Sequence, residues 1–308
     1  MRRWVAPLAL FAALAGAAGA APPGRSPALP VAATTTDLKA LVEEVGGGEV
    51  QVRSLASAVH DPHAFEVKPG QLAWLKRSAL LVRIGLDYEP WLARVVSAAG
   101  EPRFAPGGGD ELDLSRSVEL LQSETPRLRT DRRAHVHAFG NPHYWLDPEN
   151  ARPITAAILE RLARLRPGER EAFAANRERL LARLDAGLAR WKKALAPYRG
   201  ARAVAAHESW PYFAERFGIA VVAAMEPTPG VPPTPAALAE LVRRMQASGV
   251  RLIIAEPWSD ASLVRQLALS SGARVATLVP SVGADPEAPD YLALFDLNVK
   301  RLAAALAP

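Results

Sequence analysis

The sequence predicts an α/β fold of two lobes, each a mainly parallel four-stranded sheet with flanking helices, joined by one long connecting helix. Short apolar runs alternate with amphipathic helical patterns, they fall into two separate sets, and a single long helical pattern lies between the sets. Strands that alternate with helices favour parallel sheets covered on both faces. A chain of 308 residues is long enough for two lobes with a core each.

The first set of apolar runs predicts the strands of the N-terminal lobe. These runs lie at 29–34, 50–56, 79–86 and 117–123. Amphipathic stretches between them, such as TTDLKALVEEVGG, have the spacing of helices with one buried face. We expect the four runs to form the first sheet.

The second set predicts the sheet of the C-terminal lobe in the same way. Its runs lie at 201–207, 219–226, 250–257 and 273–281, again with helical patterns between them. The repetition of strand and helix indicates a second parallel sheet of the same kind.

The connecting helix is predicted from residues 167–197, PGEREAFAANRERLLARLDAGLARWKKALAP. Apolar residues recur there at intervals of three, four or seven, namely Phe173, Leu180, Leu184, Leu188, Trp191 and Leu195. The pattern fits one helix of roughly 27 residues and about 40 Å. We expect a stiff connector that limits opening between the lobes.

The chain begins with a pattern that is typical of a secretory signal. Two arginines precede an apolar run of about a dozen residues, and small residues suited to cleavage follow near Ala20 and Ala21. We predict a signal peptide at 1–21, an N-terminal metal-binding lobe at 22–165, the connecting helix at 166–197 and a C-terminal metal-binding lobe at 198–308.

Export and composition together indicate a periplasmic protein. The chain has no cysteine, which excludes structural disulfides, thiolate metal ligands and a lipid-anchored cysteine. The formal net charge is +5, but the arginines are interleaved with acidic residues along helical stretches. That arrangement is typical of solvated helix faces and does not indicate nucleic-acid binding. We expect a monomer without a nucleic-acid partner.

Three of the six histidines follow predicted strands or precede a predicted helix. His63 lies in the loop AVHDPHAFEVKPG after the second strand, His143 in the turn-rich segment GNPHYWLDPENA, and His207 at the end of the first strand of the second lobe. Ligands of open α/β sheets bind at the carboxyl ends of strands, so these imidazoles are expected to meet in the cleft between the lobes. Neutral imidazoles suit a borderline divalent ion, and zinc is the first choice.

The chain resembles the zinc and manganese solute-binding proteins of ABC transporters. The resemblance is carried by DPHAFEVKPGQLAWLKRSALLVRIGLDYEPWL, NPHYWLDPENARPITAAILERL, AAHESWPYFAERFGI and EPTPGVPPTPAALAELVRRMQASGVRLIIAEP, in the family's order and close to its spacing. It implies two α/β lobes joined by one long helix, a metal ion carried between them, and an ABC permease as partner.

The resemblance also implies the metal ligands. The family motif Asp-Pro-His-x-Tyr/Phe-Glu-Pro matches this chain around His63, except that Val67 replaces the last proline. The second ligand motif is similar to NPHYWLDP at His143, and the third falls on His207, where manganese members tend to carry glutamate.

The fourth ligand stays open. Many family members supply an aspartate after the last strand, but Val279 and Pro280 stand at the corresponding place. We rank a water molecule first, Glu256 at the end of the strand RLIIAEP second, and Asp285 third.

The remaining histidines have weaker implications. Zinc members often carry a long histidine-rich or acidic insertion before the second ligand, whereas this chain has only RAHVHAFGNPH, with His135 and His137. We expect these two to lie in a solvated loop. We expect the same of His60, unless it supports the site by a hydrogen bond.

The leading hypothesis is an extracytoplasmic solute-binding protein that captures Zn²⁺ as cargo, delivers it to an ABC permease and catalyses no reaction. A zinc hydrolase is one alternative, because three histidines and a water also hold catalytic zinc. Against it, no His-Glu-x-x-His occurs and Glu208 is the one candidate base. A periplasmic zinc buffer or adhesin without transport is the other alternative. Manganese and iron are less favoured, because three imidazoles suit a hard cation poorly.

Alanine substitutions test the ligand assignment. His63→Ala, His143→Ala and His207→Ala should each sharply weaken metal binding, because each removes one imidazole ligand, while the metal-free fold remains intact. His135→Ala is the control and should have little effect. Isothermal titration with zinc measures all four variants, and equal effects in all of them would show that the site is misplaced.

Overall fold

The computed structural model describes residues 27–58, 68–121, 140–226 and 231–308. Within these residues it contains two separate four-stranded sheets, and every strand pair in both of them is parallel. The predicted fold class is therefore confirmed.

The first sheet and its helices come from the N-terminal half of the chain. Its strands are β1 (Leu29–Ala33), β2 (Val50–Ser54), β3 (Leu80–Arg83) and β4 (Glu111–Asp113). Its helices are α1 (Thr36–Gly46), α2 (Pro69–Arg77), α3 (Leu92–Ala99) and α4 (Ala151–Leu165). The strand order is β2-β1-β3-β4.

The second sheet follows the long helix α5 (Arg170–Leu195). Its strands are β5 (Arg202–Ala205), β6 (Ala220–Ala224), β7 (Leu252–Ala255) and β8 (Arg274–Thr277), in the order β6-β5-β7-β8. Its helices are α6 (Pro211–Phe217), α7 (Pro235–Ala247), α8 (Ala261–Ser271) and α9 (Tyr291–Leu306).

Strand composition explains the order of the strands in each sheet. The sequence LIIA of β7 is buried at all four positions, as expected of a central parallel strand covered by helices on both faces. In β2, buried valines alternate with exposed Gln51 and Arg53, which suits a strand at the edge. The order of each sheet reverses beside β1 and β5, and ligands of such sheets bind at the carboxyl ends of the strands beside that reversal.

The prediction of a fourth strand at 117–123 is wrong. The structure places β4 at Glu111–Asp113, a short helix of the 3-10 type at Leu114–Ser117, and no strand through residue 121, while 122–123 lie outside the described residues. Polar contacts explain the difference: Arg83 of β3 forms ion pairs with Glu111 and Asp113. The Asp113 carboxylate also accepts a hydrogen bond from Ser115 N, which ends the strand and begins the short helix.

Helix α5 confirms the predicted connector. It has 26 residues, and the six apolar side chains that predicted it are all buried. One face packs on α1 and α4 of the first lobe, and the same helix also packs on α9 of the second. Helix α5 therefore contributes buried side chains to the cores of both lobes.

Among the described residues, none of the helices has both the length and the apolar character that crossing a membrane requires.

Gly187 lies inside α5 where there is no room for a side chain. A Cβ atom there would lie 2.7 Å from the ring of Trp191. That ring is held on both sides, because it packs on Phe295 with 5.2 Å between ring centroids and its Nε1 donates a hydrogen bond to Asp296 at 2.6 Å. The ring therefore cannot move aside easily.

Gly187→Ala should destabilise the protein, although alanine normally favours a helix over glycine. Overpacking against the held ring is expected to cost about 1–3 kcal/mol, as measured by urea unfolding. Gly70→Ala in α2 is the matched control, because its Cβ would meet no atom within 4 Å. A gain of stability in both variants would contradict the packing described here.

Candidate metal site

The two candidate histidines that the structure describes lie next to each other. His143 belongs to residues 140–147, here called the crossing segment, and His207 follows β5. Their ring centroids are 5.9 Å apart and the ring planes are nearly perpendicular, at 79°. Two imidazoles on one tetrahedral zinc have centroids about 5 Å apart, given Zn–N bonds of about 2.0–2.1 Å. The observed separation of the ring centroids is close to that of two imidazoles on one ion.

Asn141 determines which nitrogen of His143 carries a proton. The Asn141 Oδ1 atom accepts a hydrogen bond from His143 N at 2.9 Å and lies 3.1 Å from His143 Nδ1. The Asn141 Nδ2 atom donates to the carbonyl of Glu208 at 2.9 Å. Because a carbonyl oxygen only accepts, Nδ1 must carry a proton, and in the neutral imidazole Nε2 is then the nitrogen that could bind a metal ion.

Aromatic rings enclose His143. Tyr88 meets its ring edge to face with centroids 5.5 Å apart, and the Trp145 ring lies at 5.3 Å. His143 is only 4 % exposed. A buried imidazole among aromatic rings has little competing water, so its orientation is fixed by Asn141 and by these rings.

The loop that carries Tyr88 is held by a buried carboxyl group. Glu89 accepts hydrogen bonds from Ile84 N at 2.7 Å, Gly85 N at 3.1 Å and Thr34 Oγ1 at 2.6 Å. Burial raises the pKa of Glu89 to about 7, against the opposing effect of these donors. The bonds hold a backbone in which Leu86 and the residue after it are left-handed, with φ of 55° and 58°.

The crossing segment is bound to the second lobe by side chains along its length. Tyr212 Oη donates to the carbonyl of Asn141 at 2.8 Å, and Trp145 Nε1 donates to the carbonyl of Pro280 at 2.8 Å. Arg216 of α6 makes two hydrogen bonds to Asp147, both of 2.7 Å. Toward the first lobe, Tyr144 Oη donates to Ile84 O at 2.7 Å. His143 therefore lies in a segment that is hydrogen-bonded to both lobes.

Glu256 lies at the end of β7, as the sequence placed it, but its oxygens are engaged. Oε1 accepts from Trp210 Nε1 at 2.8 Å and Oε2 accepts from Ser259 Oγ at 2.9 Å. Burial raises the pKa of this carboxyl group to about 7. A metal bond to Glu256 would have to replace one of these contacts.

Asp285 is also engaged by protein donors. Its carboxylate accepts from Glu287 N at 2.9 Å and from Arg301 at 2.6 Å, and these contacts lower its pKa, with the Glu287 N–H as the largest cause. Val279, where the family's aspartate is expected, is buried, and its backbone N–H donates to Asn298 Oδ1 at 2.8 Å.

His63 lies outside the described residues, as do His60, His135 and His137. Within the residues that the structure describes, no three histidine or carboxylate side chains form a group able to hold a metal ion. The structure therefore brings His143 and His207 together and does not describe the loop with His63. The sequence analysis did not identify Asn141. The feature that could have indicated it is an amide side chain two residues before the candidate ligand His143.

The sequence matches the family described as ZnuA, zinc-uptake complex component A, periplasmic, over residues 31–305. The chain belongs to this family. Membership in the ZnuA family confirms the prediction of a metal-binding solute-binding protein of an ABC transporter and the prediction that the chain is not an enzyme.

Relatives and solved structures agree with this membership. A high-affinity zinc uptake system protein ZnuA of Paracoccus denitrificans is 29 % identical over 306 residues, covering 91 % of this chain and 93 % of the relative. The zinc-binding lipoprotein AdcA of Streptococcus pneumoniae serotype 4 is 23 % identical, covering 84 % of this chain, which spans about half (52 %) of the AdcA length.

A crystal structure of ZnuA superposes with a TM-score of 0.75 at 25 % identity, covering 91 % of this chain and all of the other. A manganese complex of FpvC from Pseudomonas aeruginosa superposes with a TM-score of 0.76 at 22 % identity, covering 91 % of this chain and 98 % of FpvC, and shows the same fold.

A second buried acid links the lobes of this ZnuA-family chain. Asp37 of α1 is fully buried, and its Oδ1 accepts a hydrogen bond from the backbone N of Val282 in the second lobe at 2.8 Å. Its Oδ2 has no hydrogen-bond partner among the described residues. Burial raises the pKa of the Asp37 carboxyl from 3.8 to about 7.

Asp37→Asn should stabilise the protein increasingly as the pH rises. Because the folded-state pKa is raised, the stability that protonated Asp37 contributes is complete below pH 3.8 and is lost as the pH rises through about 7. Asparagine keeps the Oδ1 acceptor and stays neutral. The free energy of unfolding of Asp37→Asn should exceed that of the wild type by a margin that grows from about pH 5 to about pH 8, up to a few kcal/mol.

Denaturant unfolding of both proteins across this pH range measures the margin. A difference that is constant with pH would contradict a titrating Asp37. Comparing the two proteins at each pH removes the contribution of Glu89 and Glu256, because both carboxyl groups are present in each protein.

Proposed function

We propose that this protein captures one Zn²⁺ ion between its lobes with His63, His143 and His207 and delivers it to an ABC permease. The observation that carries the proposal is the His143–His207 pair, with 5.9 Å between ring centroids and with Nδ1 of His143 facing Asn141 Oδ1, so that Nε2 is the nitrogen that would bind the metal. The zinc-uptake relatives support zinc as the cargo.

His63 would supply the third imidazole from the loop DPHAFE. Proline fixes its own backbone and restricts the residue before it, so Asp61-Pro62 would aim His63 and reduce the entropy lost on binding. Imidazoles bind metal only when neutral, so zinc affinity should fall as the pH drops through the histidine range.

A water molecule is proposed as the fourth ligand. Glu256 and Asp285 come after it, because the oxygens of both carboxylates already accept hydrogen bonds from protein donors. Imidazoles with at most one oxygen ligand favour zinc over manganese, which prefers carboxylate and water.

We also propose where the protein is located and how its chain is divided. Residues 1–21 would be removed as a signal peptide, leaving a periplasmic protein without a lipid anchor. We propose that the lobes comprise 22–165 and 198–308, and that the protein acts as a monomer without a nucleic-acid partner. The permease would recognise the metal-loaded face.

Metal competition tests the cargo. The mature protein is stripped of metal, offered equal Zn²⁺ and Mn²⁺, and analysed for the metal that stays bound. We expect one zinc per chain, lost in His207→Ala, because that variant removes half of the described pair. Retention of manganese instead of zinc, or of neither metal, would overturn the proposal.

A growth assay distinguishes transport from buffering. Cells that lack this protein but keep the permease should recover growth in zinc-depleted medium when the wild type is supplied, but not when His207→Ala is supplied. Recovery by the wild type in cells that lack the permease as well would indicate a zinc buffer.

A further inference from the structure

We propose that Asn141 is a positioning residue that preassembles His143 and His207 as a two-imidazole half-site before metal arrives. The proposal rests on the proposed function, and it concerns a side chain outside the ligand set. Its basis is the three polar contacts that this one amide makes, two with His143 and one with the residue that follows His207.

The orientation of the Asn141 amide is fixed because one of its hydrogen-bond partners can only donate and another can only accept. The backbone N–H of His143 can only donate, so the atom facing it must be the amide oxygen. The carbonyl of Glu208 can only accept, so the atom facing it must be the amide nitrogen. Reversing the amide would break both bonds at once. The Nδ1–H form of His143 follows from this orientation.

The same amide spans the two lobes. Glu208 is the neighbour of His207, so the bond from Asn141 Nδ2 fixes the backbone beside the second imidazole. The Asn141 backbone is held independently: its carbonyl accepts from Tyr212 Oη at 2.8 Å, and its N–H donates to Leu121 O at 3.0 Å. The residue is only 3 % exposed, and with its backbone anchored in this way its side chain has little freedom to turn.

Preassembly has a chemical consequence. An imidazole side chain in water favours the Nε2–H form, which would present a proton to the metal. Asn141 therefore favours the opposite tautomer in advance. Because the backbone beside His207 is held by the same amide, the incoming ion meets two imidazoles whose separation is already set, and less ordering remains to be done on binding.

Two substitutions separate the contacts of Asn141. Asn141→Ala removes the three contacts of the side-chain amide and keeps the backbone bonds. Asn141→Asp keeps an oxygen acceptor for His143 but loses the donor to Glu208. Asn150→Asp is the matched control, because Asn150 Nδ2 also donates to a backbone carbonyl, that of Tyr144 at 2.9 Å, and this bond involves neither histidine.

Nitrogen-15 NMR of the histidine rings in the metal-free protein is the first readout. His143 should show a protonated Nδ1 in the wild type, in Asn141→Asp and in Asn150→Asp, and a protonated Nε2 in Asn141→Ala. A purely structural role for Asn141 would not change the tautomer. A protonated Nδ1 in Asn141→Ala, with thermal unfolding showing that the variant is folded, would overturn the proposal.

Zinc affinity by chelator competition is the second readout. Asn141→Ala should bind zinc about 10–100-fold more weakly than the wild type, in the range typical of residues that orient metal-binding histidines, and Asn141→Asp should lie between the two. Asn150→Asp should stay close to the wild type. Equal losses in Asn141→Ala and Asn150→Asp would indicate general loosening of the segment and overturn the proposal. If the wild type bound no zinc, the proposed function would fail, while the tautomer measurement would still decide the role of Asn141.

Discussion

The arrangement of the candidate site depends on the hydrogen bonds that hold the crossing segment, residues 140–147, between the lobes. This segment has no regular strand or long helix of its own, so its shape comes from side chains of both lobes. Arg216 and Tyr212 bind it from α6, and Tyr291 Oη at the start of α9 donates to the carbonyl of Trp145 at 2.6 Å. His143 is fixed because the segment that carries it is fixed.

The connecting helix makes these bonds possible. Because α5 packs on helices of both lobes, the lobes share one continuous apolar core instead of meeting through a flexible linker. Side chains from one lobe can therefore keep their partners in the other. Buried polar contacts such as Asp37 with Val282 N add to this connection, and they are costly to break because an unpaired buried group loses its hydrogen bond without gaining water.

The periodicity of apolar residues predicted most of the fold, because the burial of one face of each helix and strand imposes that periodicity on the sequence. The strands of both lobes other than β4 and the long helix follow apolar patterns that solvent exclusion enforces. Strand β4 was misplaced because it lies at a sheet edge and is fixed by ion pairs between Arg83 and two acidic residues, which leave no apolar pattern. The proximity of His143 and His207 was expected from strand ends. The role proposed for Asn141 in orienting His143 could not be expected from the sequence, because it depends on a contact with a backbone carbonyl 67 positions away.

X-ray absorption spectroscopy at the zinc edge of the loaded mature protein tests most directly whether His63, His143 and His207 bind the zinc ion. We expect three imidazole nitrogens at about 2.0–2.1 Å and one oxygen, with the multiple-scattering pattern of histidine. His143→Ala and His207→Ala should each lower the imidazole count by one or abolish loading. A zinc environment of mainly oxygen ligands, unchanged by either substitution, would contradict a metal site built on the His143–His207 pair.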